Sequence, residues 1–527
     1  MCLRDSDTTA IQNAINNAEN KVVYFPKSTY RITSSLVIDD SREGIYGDGI
    51  YSVIALDVTS NTNQQTPAIK VTGTSAGVTS QYVTIRGIHV KRGTLSGSTW
   101  TYTNAPPFPT APGSNDAGIS ITGSPYSGPG GIVRGVFENI RVTAFSTGIY
   151  FNNVVGLSVK NCMVQQEATY ATSNSVTGNS SKYCIGYHLD GGTAAIAATT
   201  GMSPLASIEL EECDADMTGV SKYGSNTNDT QSYGFYCKGT DLRDIFLRSC
   251  ETSKGKYGIY ANSTDATDAN WNIQIQRPII DGSETTAIHL ENLGGNGATT
   301  VNGGYLVSDG DCIYVKSSVG VVITGGVQFL KSGSTGVRLN NSDHCSIVGN
   351  RFSNIPSPIG LETATYCTVT GNVVNVTASD LIAAPTLSTQ SGIKLTSASS
   401  HNIVGSNIIS GESNSNKYGS IFNLASGCNN NRFDSNKGEF ADARVDNGTD
   451  NKFGNASLSD IHAPFSGTLP SGSNFYTFTD DPNSGLSRDS EDQISLKILG
   501  RQGFMMKLGG ANNNHEFCHF NTTDNMS

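Results

Sequence analysis

Two kinds of side chain in this sequence are spaced so that they could do chemistry together: carboxylates, and rings carried at matching places along a repeat. In SDGDCIYVKSS, Asp309 and Asp311 stand just ahead of a strand-like run. In SIELEECDADM, Glu209 and Glu211 share one face of an alternating segment, and Glu212, Asp214 and Asp216 follow. Glycosidic bond cleavage uses a pair of carboxyl groups, about 5–5.5 Å apart when configuration is retained and about 6.5–9.5 Å apart when it is inverted. Strands stacked about 4.8 Å apart supply such separations. Glu209 has Ser158 and Phe246 as expected ladder neighbours and no counter-ion at those places. An uncompensated carboxylate beside a ring suits a general acid. Glu209 with Asp214 or Asp216 is one candidate catalytic set, and Glu291, Asp309, Asp311 and His289 form another. Glu211, between Lys160 and Arg248, also reads as part of a structural charge ladder. Asp309 and Asp311 also read as plain turn residues.

The rings come from a repeat. GIYFNNVVGLSVKNC begins at 148, GFYCKGTDLRDIFLRSC at 234, GIYANSTDATDANWNIQIQRP at 258 and AIHLENLGGNGATTVNGG at 287. CIYVKSSVGVVITGG begins at 312, GVRLNNSDHCSIVGN at 336, GLETATYCTVTGN at 360 and GIKLTSASSHNIVGS at 392. Starts from 234 to 360 are separated by 24, 29, 25, 24 and 24 residues. Each unit holds three short strands and polar corners rich in Gly and Asn, which tolerate positive φ. Units this short bury no face alone, so they must stack. The fold class expected is all-β: a right-handed parallel β-helix, a three-faced solenoid with an N-terminal capping helix and a small C-terminal domain.

Strand alternation then separates inside from outside. Third places run Tyr150, His188, Tyr236, Tyr260, His289, Tyr314, Arg338, Glu362 and Lys394. Fifth places run Asn152, Asp190, Lys238, Asn262, Glu291, Lys316 and Asn340. Both sets are expected to face solvent. Sugars stack on aromatic faces, so His188, Asp190, Tyr236, Tyr260, Tyr314, Lys316 and Arg338 are candidate substrate contacts. A subunit interface or ordinary strand surface would also account for the stripe. A lyase would instead draw on His289 with Tyr260 or Tyr314 as base, and Lys316 or Lys238 to neutralise a uronate. Cys162, Cys213 and Cys250 fall at one repeat position, as do Cys345 and Cys367, which reads as buried ladders.

Composition agrees. The chain has 527 residues, 58 Gly, 16 Pro and only 15% charged residues, with 21 Tyr and 19 Phe, too aromatic for disorder. A net charge of -11 disfavours nucleic acid. No apolar run is long enough for a membrane span. Eleven Cys without a CxxC pair point to no metal, no cofactor and no disulfide framework, and to synthesis in a reducing compartment. Met1-Cys2-Leu3-Arg4 opens no secretory signal. Residues 1–35 are expected to form the cap and entry strand, with Ile11, Ala14, Ile15 and Ala18 on one helical face. Residues 36–455 form the β-helix, and 456–527 a small module. Insertions interrupt the period at 93–117, 167–184, 190–204, 218–233 and 376–391; the first carries Trp100, Tyr102 and Phe108, and Trp100 and Tyr102 are added to the candidate contacts.

DTTAIQNAINNAENKVVYFPKSTYRI resembles the entry motif of the pectate-lyase-like superfamily as found in bacteriophage tailspikes. FTDDPNSGLSRDSEDQISLKILGRQGFMMKLGG resembles a module near the C-terminus of phage tail fibres and tailspikes. The resemblance implies a virion-tail capsule depolymerase. Such a protein is a homotrimer that binds a bacterial surface polysaccharide (capsule, lipopolysaccharide or exopolysaccharide) and cleaves its glycosidic bonds, as a hydrolase ahead of a lyase. A non-catalytic receptor-binding spike is the alternative. Tailspikes attach to the phage tail through an N-terminal anchor and can carry a self-cleaving C-terminal chaperone, so the chain is expected to be a fragment or processed form. SDGDCIYVKSS is also similar to the GDDCIAIKS element of polygalacturonases, with that family's upstream Asp falling on Thr286 and its downstream His on Thr335. Asp311 remains available as an acid.

Overall fold

The computed structural model describes residues 8–453 with interruptions, the longest being 59–65, 74–80, 102–115, 124–132, 167–182, 193–204, 219–230, 265–271 and 377–389, and five strands between 474 and 519. Two compact units divide after Ile461. In the first, three parallel sheets are built in rotation, so that every third strand pairs. The first sheet runs from Val22–Phe25 to Lys452–Phe453, the second from Ser28–Ile32 to Lys437–Gly438, and the third from Leu36–Ile38 to Asp442–Asp446. This is a parallel β-helix.

One helix, Thr8–Asn16, closes its open end. Ile11 and Ile15 are buried, whereas Ala14, expected on the same face, is exposed. Gln12 explains how so short a helix holds. Its side chain accepts from the Val37 N–H and donates to the Val37 carbonyl, both at 2.7 Å, satisfying the edge of the first third-sheet strand.

Inward places carry Ile, Leu and Val. Phe329 stacks on Phe352 with ring centroids 4.3 Å apart, and the two cysteine ladders are buried. Asn350, Asn372, Asn407 and Asn436 form a ladder in which each amide is bonded to the next. Corners between the first and second sheets take positive φ at Asn139, Asn161, Gly303, Gly325 and Gly349, and also at Glu212, Ser249 and Arg277. Polar residues other than Gly and Asn therefore also occupy these strained places.

In the first insertion, Thr99–Thr101 folds back on His89–Ser96 as an antiparallel hairpin, which places the backbone of Trp100 opposite Leu95. Tyr102 and Phe108 lie outside the described residues. The insertions at 167–184, 190–204, 218–233 and 376–391 fall mostly outside them too. Their edges do not: Tyr183, Cys184, Asp190, Gln231, Tyr233 and Ser391 belong to third-sheet strands. The second unit is an antiparallel meander, Asn474–Phe478, Asp481–Ser490, Gln493–Ile498, Arg501–Lys507 and Glu516–His519. Among the described residues no helix is long and apolar enough to cross a membrane.

Candidate functional site

The third sheet carries the ring stripe in register. Tyr150 pairs with His188, His188 with Tyr236, Tyr236 with Tyr260, Tyr260 with His289, His289 with Tyr314, and Tyr314 with Arg338. Successive ring centroids lie 5.0, 5.0, 5.5, 4.6 and 5.1 Å apart, and the Arg338 guanidinium sits 5.0 Å over Tyr314.

Four of the six rings in the stripe, His289 among them, are not the solvent-facing surface expected of them. Tyr150, His188 and Tyr236 are buried, with Tyr236 only 2% exposed. Tyr183, Ile185, Tyr233 and Tyr257 pack beside Tyr236 and Tyr260, and these six residues form an apolar cluster outside the solenoid core. The Tyr150 hydroxyl donates to Asp190 at 2.6 Å. Burial pushes the His188 imidazole down to about 4, so it is neutral near pH 7.

Further along, the face becomes charged. Glu291 accepts from Tyr260 at 3.2 Å, Asn262 at 3.1 Å and Lys316 at 2.6 Å, and lies 3.3 Å from His289 Nε2. Partial burial works to raise its pKa, but the Lys316 hydrogen bond and the nearby His289 and Lys316 outweigh it, leaving Glu291 below the usual carboxylate range. His289 is 8% exposed and burial lowers its pKa. Glu291 is thus an ionised hub, with the His289 imidazole beside it.

Two strands on, one cation holds two carboxylates. Arg338 lies 2.8 Å from Glu362 through Nη2 and 3.6 Å from Asp311 through Nη1. Asp311 pairs with Thr286 across the sheet and accepts the Thr335 N–H at 3.0 Å, so the two threonines occupy the places aligned with the polygalacturonase Asp and His. Asn340 also donates to Glu362, at 2.8 Å. Partial burial works to raise Glu362, and the Arg338 and Asn340 hydrogen bonds override it, so its pKa is lowered. Beside this pair is a groove of about 310 Å³ whose walls include Thr335, Ser357, Gly360, Glu362, Gln390 and Lys394.

Glu362 is displaced from its expected place. It pairs with Asn340, in the fifth-place row, while Gly360 pairs with Arg338 and Lys394. The repeat therefore starts at Pro358, not Gly360. The cysteine ladder carried that signal: Cys345 follows Gly336 by nine residues, and Cys367 follows Pro358 by the same nine.

The other acidic set is not one site. Leu205–Glu211 belongs to the first sheet and Asp214–Asp216 to the second, across the corner at Glu212, so Glu209 is not brought together with Asp214 or Asp216. Glu209 also has the counter-ion it was expected to lack. Arg248, whose ladder partner is Glu211, reaches one place over to Glu209 at 2.7 Å, and Lys160 takes Glu211 at 2.6 Å. Asp214 stands between Met163 and Glu251. Burial first, then Glu251 and Asp216, push its carboxyl up to about 7. Asp216 accepts the Thr218 N–H. Asp309 sits 3.6 Å from Lys331 on the turn before Asp311. Among the described residues no group of three or more His, Cys, Asp or Glu is placed to hold a metal ion.

Comparison with known proteins falls at the entry of this helix. Residues 4–91 match the family described as rhamnogalacturonase A/epimerase, pectate lyase-like. No curated protein matches the chain. Solved structures that resemble it include the A-module of the mannuronan C-5 epimerase AlgE6 of Azotobacter vinelandii, with 12% identity, TM-score 0.38, and coverage of 85% of this chain and 95% of that one. Tailspike protein 3 of bacteriophage CBA120 has 12% identity and TM-score 0.42, over 98% of this chain and 66% of that one. The tailspike of E. coli bacteriophage HK620, solved with a pentasaccharide, has 11% identity and TM-score 0.46, over 85% and 75%.

Proposed function

We propose that the chain is a phage tailspike that binds a bacterial surface polysaccharide along the third sheet and cuts its glycosidic bonds at the groove beside Arg338. The observation that carries this reading is the pair of carboxylates, Asp311 and Glu362, held by a single guanidinium, with Glu362 on the groove wall. Two acids gripping one planar fork have their near oxygens within roughly 9 Å, a span that admits both glycosidase spacings. Glu362 is held ionised, which suits the base that takes a proton from water. Proton delivery to the leaving oxygen then falls to Asp311. In the step, the bond from the anomeric carbon to the bridging oxygen breaks and the water oxygen bonds that carbon. Asp311 protonates the departing sugar, and Glu362 keeps the proton from water.

The match of residues 4–91 to a family described by polysaccharide-modifying enzymes supports the substrate class. The resemblance of the entry and tail segments to tailspike modules supports the virion tail, the homotrimer and the attachment to the phage. A lyase is the second reading, favoured by His289, whose pKa burial lowers, and Tyr260 beside Glu291 and Lys316. Incubation with purified host polysaccharide, followed by size-exclusion chromatography, tests both. Shortened chains without an unsaturated uronate chromophore are expected, and that chromophore would move the chemistry to His289. A glycan that the protein retains but never shortens would leave only a receptor-binding spike.

A further inference from the structure

Around the corner from the groove, four residues beyond Glu362, runs a row of left-handed backbone positions. Gly320, His344, Tyr366, His401, Asn430 and Asp450 occupy it, with φ of 73°, 52°, 52°, 59°, 58° and 56°. The backbone identifies them as one row. Val319, Asp343, Thr365 and Ser400 bridge in sequence, and each row N–H donates to the carbonyl just before the next member. The ends of the row use Gly, Asn and Asp, the residues for which this conformation is cheapest. The three middle coils use His, Tyr and His; His tolerates this conformation, but the bulky Tyr366 does not favour it and gains nothing from burial, being 54% exposed. Local strain of this kind persists where something else is gained from it.

Its result is an exposed stack. His344 and Tyr366 rings lie 5.3 Å apart at 17°, and Tyr366 and His401 rings 5.0 Å apart at 20°. The stack ends in a ledge. Among the described residues, a side chain added at Gly320 would meet nothing within 4 Å, which leaves room beside the His344 ring. Val319 beside it is 43% exposed. Asp343 stands next to the ledge, accepting from the Thr365 hydroxyl at 2.7 Å and lying 2.8 Å from His344 Nδ1. A ring face, an exposed apolar side chain and a carboxylate able to accept hydroxyls make up the chemistry that holds a pyranose. The ledge is one ring wide, far below the roughly 800 Å² per partner that a stable protein interface buries.

We propose that the His344–Tyr366–His401 stack, with Val319, Gly320 and Asp343, is a second, non-catalytic glycan-binding site. It takes hexopyranose units that offer an apolar C–H face to His344 and hydroxyls to Asp343. The identity of the glycan rests on the polysaccharide reading of the groove; the site is separate from that groove and holds the polymer beside it.

Asn is favourable at left-handed positions, which separates function from structure. The variant H344N/Y366N/H401N is expected to keep or raise its melting temperature while losing about 10²-fold in apparent affinity for polymer, the lower end of the range for a lost second attachment. Gly320→Asn, filling the ledge without backbone strain, is expected to lose a comparable amount. Binding is read on a printed panel of purified bacterial capsular and O-antigen polysaccharides. Equal retention by wild type and both variants overturns the proposal. A melting temperature that falls in the triple variant assigns the stack to stability and overturns it as well. A wild-type protein that retains no glycan on the panel takes the groove reading down too, so the two failures are distinguishable.

Discussion

Tyr236 and Arg338 occupy the same outward row of the third sheet, four coils apart. Tyr236 is sealed between His188, Tyr233 and Tyr260. Arg338 lies over Tyr314, grips two carboxylates and stands beside a groove. Alternation assigns both side chains to the outside, and it is right about direction in both cases. It says nothing about what lies over them. In the first region a second tyrosine row covers the stripe and makes it core. In the second the neighbouring row turns to Thr286, Asp311 and Thr335, small or acidic residues that leave the face open to water and charge.

The sharpest way to break this comparison is at the open end. Asp311→Asn and Glu362→Gln are each expected to reduce polysaccharide cutting by about 10²–10⁴-fold, the usual range for a positioned acid or base. Melting temperature should move little, since both side chains stay polar and can still hydrogen-bond. Full activity in either variant removes that carboxyl from the chemistry.

Next in size is the closed end. Tyr236→Ala is expected to lose about 3–5 kcal/mol of unfolding free energy, as for other large buried rings, with cutting per folded molecule retained. Chemical denaturation together with an activity assay separates the two. A stability loss no larger than that of an exposed tyrosine would show that the first region is open surface after all.

Asp214 refines the comparison, because a displaced pKa is commonly taken as the mark of a site. Its carboxyl is raised to about 7 in the folded chain, against about 3.9 unfolded. The unfolded chain therefore gives up this proton first. Stability is fully present below about pH 4 and is lost as pH rises towards 7. Asp214→Asn is expected to melt like wild type at pH 4 and above it at pH 8, by about 1–2 kcal/mol once solvent screening is allowed for. Cutting should be unaffected, since a crowded acidic row on the second sheet is sufficient cause of the shift. A variant with no pH-dependent gain would mean that the carboxyl titrates normally.

The solenoid could be read from the sequence because it depends on local, repeated constraints. Period, inward aliphatics and corner residues each recur every coil, so an error in one coil is corrected by the next. The site depends on details that occur once. A two-residue offset in one coil puts Glu362 in the fifth-place row beside Asn340, and the groove pairing depends on that offset. Arg338 was placed correctly, but its reach to Asp311 and Glu362 depends on side-chain direction, which periodicity leaves open. The burial of Tyr236 escapes alternation for a similar reason. Ile185, Tyr233 and Tyr257 sit at the strand start, outside the alternating run used to sort the faces.

Glu209 is the smallest expected effect and the cleanest control. Its neighbours by register, Ser158 and Phe246, carry no charge, and on that basis it looked like an acid without a partner. Arg248 is the register neighbour of Glu211, yet its side chain leans one alternate place back along the strand to Glu209 and leaves Glu211 to Lys160. A long side chain on a flat sheet reaches diagonal as well as direct neighbours, so ladder position alone does not assign ion pairs. Glu209→Gln is expected to retain full cutting and to lose no more than about 1 kcal/mol, the value of a half-exposed pair. A large activity loss with an intact fold would return the chemistry to the first sheet and make the Arg338 groove a binding cleft.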